Sequence, residues 1–87
     1  SDVIGKAEAG NVWITMQVHQ NIVAVAVLKN LAGIILVNNR EPLPDTLEKA
    51  QKENVVILKC SLSAFDTAGK LYAHGIRGKS ESVNLPN

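Results

Sequence analysis

Ile22-Val23-Ala24-Val25-Ala26-Val27-Leu28, followed after a short break by Gly33-Ile34-Ile35-Leu36-Val37, is the stretch on which the fold turns. Every residue of the first run is apolar, and its β-branched members favour a strand. Length argues the other way. The apolar span continues from Ile22 to Ala32, broken only by Lys29-Asn30, and is longer than a strand needs. A strand here would form a hairpin with the next one, whereas a helix would be the crossover of a parallel βαβ unit. The length reading predicts a helix capped by Asn21 and ended by Gly33. Such a helix is apolar almost all round, so it must be covered on more than one face. Gly33 to Val37 is continuously apolar, as a strand buried on both faces of a parallel sheet would be.

Elements on either side fit the same scheme. Val12 to Met16 is rich in β-branched and aromatic residues and reads as a strand, followed by polar Gln17 to Asn21. Two asparagines and two prolines make Asn38 to Pro44 a loop. Asp45, with Glu48 three residues on, predicts a capped helix to about Glu53, with Leu47 and Ala50 facing inward and Asn54 as its stop. Val55-Val56-Ile57-Leu58 reads as another doubly buried strand. Ser61 or Ser63 then caps a helix through about His74, with Ala64, Phe65, Ala68, Leu71 and Tyr72 as its apolar stripe and Gly75 as its C-cap. Ser1 to Ala9 reads as a short helix or its remnant, stopped at Gly10-Asn11, and residues 77–87 as a flexible polar tail. The expectation is one three-layer α/β/α domain over residues 1–76, with a small, mostly parallel sheet and right-handed crossovers.

Composition narrows the function classes. The chain has 87 residues, 46% of them hydrophobic, with Trp13, Phe65 and Tyr72 as its only aromatics. Nine Lys/Arg against eight Asp/Glu leave a formal charge of +1, too weak a field for non-specific nucleic-acid binding. A single cysteine, Cys60, excludes a disulfide framework. No apolar run reaches the ~18 residues of a membrane helix and no signal peptide is visible, so the expected location is cytoplasmic. A domain of this size buries only about 60–65% of its unfolded surface. With neither metal nor disulfide to help, a second copy is the obvious support. The expected partner is a homodimer formed through the apolar helix surface of Ile22, Val23, Val25, Ala26 and Val27.

Few motifs carry chemistry. Ala73-His74-Gly75-Ile76-Arg77-Gly78-Lys79-Ser80 matches a relaxed phosphate-binding loop, but it follows a helix rather than a strand and leaves no room for the helix such a loop must open. His19, His74 and Cys60 lack metal-ligand spacing, so no metal or cofactor is expected. Cys60 reads as a structural thiol, although a thiol or acid–base enzyme built on Cys60 and His19 is a third alternative if the fold joins them. Parallel sheets bind ligands beyond their strands' carboxyl ends. Those ends here offer Thr15, Gln17, His19, Asn21, Asn38, Arg40 and Ser61 to a small polar or anionic molecule.

The order of Trp13-Ile14-Thr15, Asn21 with the Val/Ala-rich run, Ile34-Ile35-Leu36-Val37 with Glu41-Pro42, Leu47 to Ala50, Ile57-Leu58, Ser63 to Tyr72, and Gly75-Ile76 resembles the DRTGG domain family. That family is related to the amino-terminal domain of HPr kinase/phosphorylase. The resemblance is strongest to small stand-alone DRTGG proteins found near iron-only hydrogenase and redox genes, and it covers about Ser1 to Ile76. Ser1-Asp2-Val3-Ile4 resembles a segment inside that domain, so an upstream part is expected to be missing. The resemblance implies an α/β/α fold without a kinase catalytic domain and a regulatory or ligand-sensing role, often at a dimer interface. It implies no catalytic residues. The motif that names the family is absent: Met16-Gln17 stand where an Asp-Arg pair would follow the first strand. The leading expectation is thus a non-catalytic regulatory and dimerisation module, and the alternative a sensor of a small molecule or nucleotide.

Overall fold

A computed structural model describes residues 8–78. Strand and helix alternate throughout: β1 (Val12–Thr15), α1 (Asn21–Lys29), β2 (Gly33–Leu36), α2 (Pro44–Glu53), β3 (Ile57–Lys59) and α3 (Ala64–Ala73). The three strands form one parallel sheet in the order β1-β2-β3, with Trp13 beside Ile34 and Ile34 beside Ile57. The decisive run is therefore a crossover helix and not a hairpin strand.

Burial follows from the alternation of side chains along β2. Ile34 and Leu36 meet Ile22, Val23 and Ala26 of α1 and Ala50 of α2 in the main core, with Trp13 and Ile57 packed at its margin. Helices α1 and α2 also touch each other over this face. The opposite face carries Ile14 and Ile35, and there α3 returns across the sheet to pack on β1. The result is a small α/β/α sandwich with β2 buried on both sides.

Every non-glycine residue of positive φ in the described chain is an asparagine: Asn30, Asn38, Asn39 and Asn54. Asparagine tolerates the left-handed region better than other residues with a Cβ. Asn30 ends α1, its N–H donating to the carbonyls of Ala26 and Val27, and Asn54 ends α2 in the same way. The stop expected at Gly33 therefore falls three residues earlier. Gly33 instead opens β2, where the Val56 carbonyl oxygen lies 3.3 Å from the place a Cβ would occupy.

Several other expectations are corrected. Gln20 occupies the N-cap of α1, and Asn21 is already helical. Pro44 at the first position of α2, with its φ preset for a helix, starts that helix before Asp45, and Glu48 pairs with Lys52 at 3.4 Å instead of closing a capping box. Thr46 rather than Leu47 is the buried residue of the first turn. The strand expected at Val55 to Leu58 begins at Ile57 and is a sheet edge, with Val56 54% and Leu58 57% exposed. The reason is topological: α3 crosses to β1 and leaves that side of β3 uncovered. On α3 itself Phe65 (86%) and Tyr72 (60%) are exposed, while Thr67 is buried. Of the five residues expected to form a dimer surface, Ile22, Val23 and Ala26 belong to the domain's own core, Val25 is half-buried and only Val27 is exposed. Packing against two neighbours, α2 and the sheet, accounts for that burial. Glu8 and Ala9 are not helical, and the rest of the expected first helix lies outside the described residues, as does the tail beyond Gly78. No helix among the described residues is long and apolar enough to cross a membrane.

Candidate functional site

Parallel strands place all three carboxyl ends, and the starts of all three helices, along one edge of the sheet. The loops there are tied together by backbone hydrogen bonds. Asn38 N–H donates to the Leu62 carbonyl (2.8 Å), Asn39 N–H to that of Cys60 (2.9 Å), and Val37 N–H to that of Thr15 (3.2 Å). The consecutive left-handed residues Asn38 and Asn39 make these bonds achievable by turning the chain sharply as it leaves β2. An ion pair between Lys59 and Glu41 braces the same edge.

The loop after β1 is anchored from within. Val18 is buried, and its carbonyl accepts both the Leu43 N–H (3.1 Å) and the Thr46 hydroxyl (2.8 Å). Thr15 is also buried, and its Oγ1 accepts the Gln17 N–H at 3.1 Å. Gln17 Oε1 in turn accepts from Asn21 Nδ2 at 3.4 Å. Thr15, Gln17 and Asn21 thus form one chain of contacts. Asn38 joins its margin by donating from Nδ2 to the Met16 sulfur at 3.1 Å. His19, Arg40 and Ser61 are exposed on the same edge, and their side chains bond neither to this chain nor to one another. Four of the seven expected residues therefore converge, and three stand apart.

Cys60 Sγ lies 3.4 Å from the Thr67 hydroxyl and makes no bond with His19. The thiol–imidazole pair on which the enzyme alternative depends does not form. Among the described residues no three His, Cys, Asp or Glu side chains converge as metal ligands would.

A second candidate surface lies at β3. One side of this edge carries the exposed side chains of Val56 and Leu58. On the other, an open groove of about 440 Å³ runs beside α2, with Leu47, Ala50, Val55 and Ile57 in its walls. The continuous apolar run Val55 to Leu58 signals a strand, but its exposure depends on where α3 goes, which no local pattern encodes. Compared with known proteins, the chain matches no family model, no curated protein and no solved structure.

Proposed function

We propose that the chain is a non-catalytic regulatory module that associates with a second copy of itself, the role its resemblance to DRTGG domains implies. The observation that carries this reading is β3, an edge strand flanked on both faces by exposed apolar side chains. Unpaired edges are templates for pairing with another chain. Burying what is still exposed of Leu47, Val56 and Leu58 in two copies contributes on the order of 5–9 kcal/mol. The loss of translational and rotational freedom is of similar size, about 4–15 kcal/mol, so the dimer is weak and sensitive to each of these residues. Sedimentation velocity over about 5 to 500 micromolar tests it. The wild type gains mass with concentration, and Leu58→Lys, a change at an exposed position, remains monomeric. A wild type that stays monomeric across that range refutes the proposal.

The second reading is a sensor of a small polar or anionic molecule at the strand carboxyl ends, favoured by the convergence of three strand ends and three helix starts on one edge. A thermal-shift screen of nucleotides and orthophosphate tests it. Stabilisation lost in Arg40→Ala and His19→Ala supports this reading, and no stabilisation by any of them removes it.

A further inference from the structure

A cleft of about 310 Å³ opens on the far side of the molecule from β3, between β1 and the last turn of α3. Its walls include Val12, Ile14, Ala68 and Leu71, all apolar. At its mouth the Arg77 guanidinium stacks on the Tyr72 ring, 3.5 Å from the centroid. Nη1 of Arg77 also donates to the carbonyls of Tyr72 (2.7 Å) and Ile76 (3.1 Å). A guanidinium has five N–H donors, so Nη2 and Nε keep three for a further acceptor. Among the described residues no carboxylate pairs with Arg77.

We propose that this cleft binds a small amphipathic carboxylate, its apolar body against Val12, Ile14, Ala68 and Leu71 and its carboxylate on the Arg77 guanidinium. Three observations select that chemistry. The volume is at the small end of ligand sites, which span about 300–1,000 Å³, and suits a short acyl or aryl chain. The stacking ring and two carbonyls hold the guanidinium plane in place, so little freedom is lost when a planar carboxylate takes two parallel hydrogen bonds from it. Finally, Arg77 is the only cationic side chain among the described residues that line the cleft, and the cleft flanks the C-terminal turn of α3, where the helix dipole is negative. The negative dipole end opposes any anion there, and a dianion more strongly, so with one cation to offset it the cleft takes a single negative charge in preference to a phosphate dianion.

The test is titration of ¹⁵N-labelled protein with octanoate, octan-1-ol and octyl phosphate, following the amide signals of Gly10, Asn11, Leu71 and Gly78. Octanoate is expected to move these signals and to bind about tenfold more tightly than octan-1-ol. Arg77→Ala should abolish that advantage while leaving the weak binding of the alcohol. Ala68→Phe, which fills the cleft, should remove binding of both. The proposal is overturned if octanoate gains nothing over the alcohol, if octyl phosphate binds more tightly than octanoate, or if Arg77→Ala leaves octanoate affinity unchanged. It is equally overturned if these four signals move with protein concentration alone, because a second copy then occupies the cleft. Sedimentation of Leu58→Lys reads the β3 surface separately, so either proposal can fail without the other.

Discussion

Replacing Thr46 tests how the loop after β1 is held. Thr46 is fully buried in the first turn of α2, and its hydroxyl donates to the Val18 carbonyl at 2.8 Å. Thr46→Val keeps the shape and removes the donor. A net hydrogen bond contributes about 0.5–1.5 kcal/mol, and a buried acceptor left bare costs about 1–3 kcal/mol. The Val18 carbonyl retains the Leu43 N–H at 3.1 Å, so it is not left bare and the lower range applies. The expected loss is about 0.5–1.5 kcal/mol. Thr46→Ser does the converse, keeping the donor and deleting one buried methyl, for a loss of about 1 kcal/mol. Thr46→Ala should cost about the sum of the two, roughly 1.5–2.5 kcal/mol. Trp13 is the only tryptophan and packs on the core, so its fluorescence reports urea unfolding. With a slope near 1 kcal/mol per molar for a domain this small, Thr46→Val lowers the midpoint by about 1 M. A Thr46→Val midpoint equal to or above that of the wild type, with an unchanged slope, would show that the bond to Val18 does not hold the loop.

Ser63→Ala removes the acceptor of the Asp66 N–H (3.0 Å) at the start of α3 and should lower stability by about 1 kcal/mol, read by thermal unfolding, with Ser63→Asp restoring most of it. Asn54→Gly should change the urea midpoint little, because its left-handed φ of 57° suits glycine, whereas Asn54→Val should lower stability by about 1–2 kcal/mol.

What could be read in the residues was the part set by local pattern. The alternation of strands and helices, the crossover nature of Ile22 to Leu28 and the parallel sheet all follow from apolar run lengths and turn residues, and all are found. What depends on the path of α3 could not be read there. Phe65 and Tyr72 lie on an apolar stripe by spacing alone, yet α3 presents Ala68 and Leu71 to β1 and turns those larger rings toward solvent. Val56 and Leu58 look like interior residues because they belong to the continuous apolar run Val55 to Leu58, but no helix covers them. Thr46 shows the converse, a polar residue that can be buried because its hydroxyl donates to the carbonyl of Val18, 28 residues earlier in the chain. At the strand ends, Thr15, Gln17 and Asn21 were identifiable from topology, while the link from Asn38 to Met16 spans 22 residues and leaves no local trace.

The return of α3 onto β1 also bears on how the chain is made. Each of the first five elements neighbours one that is adjacent or nearly adjacent in the sequence, so the sheet and its first two helices can assemble progressively from the amino-terminal end. The docking of Leu71 beside Ile14 is different, since it joins the last element to the first. That contact closes the longest loop in the described chain and carries the largest ordering entropy, so it forms late. During synthesis α3 cannot cover the second face of β1 until its last turn has cleared the ribosome. Until then Val12 and Ile14 lack the cover that α3 gives them in the folded domain.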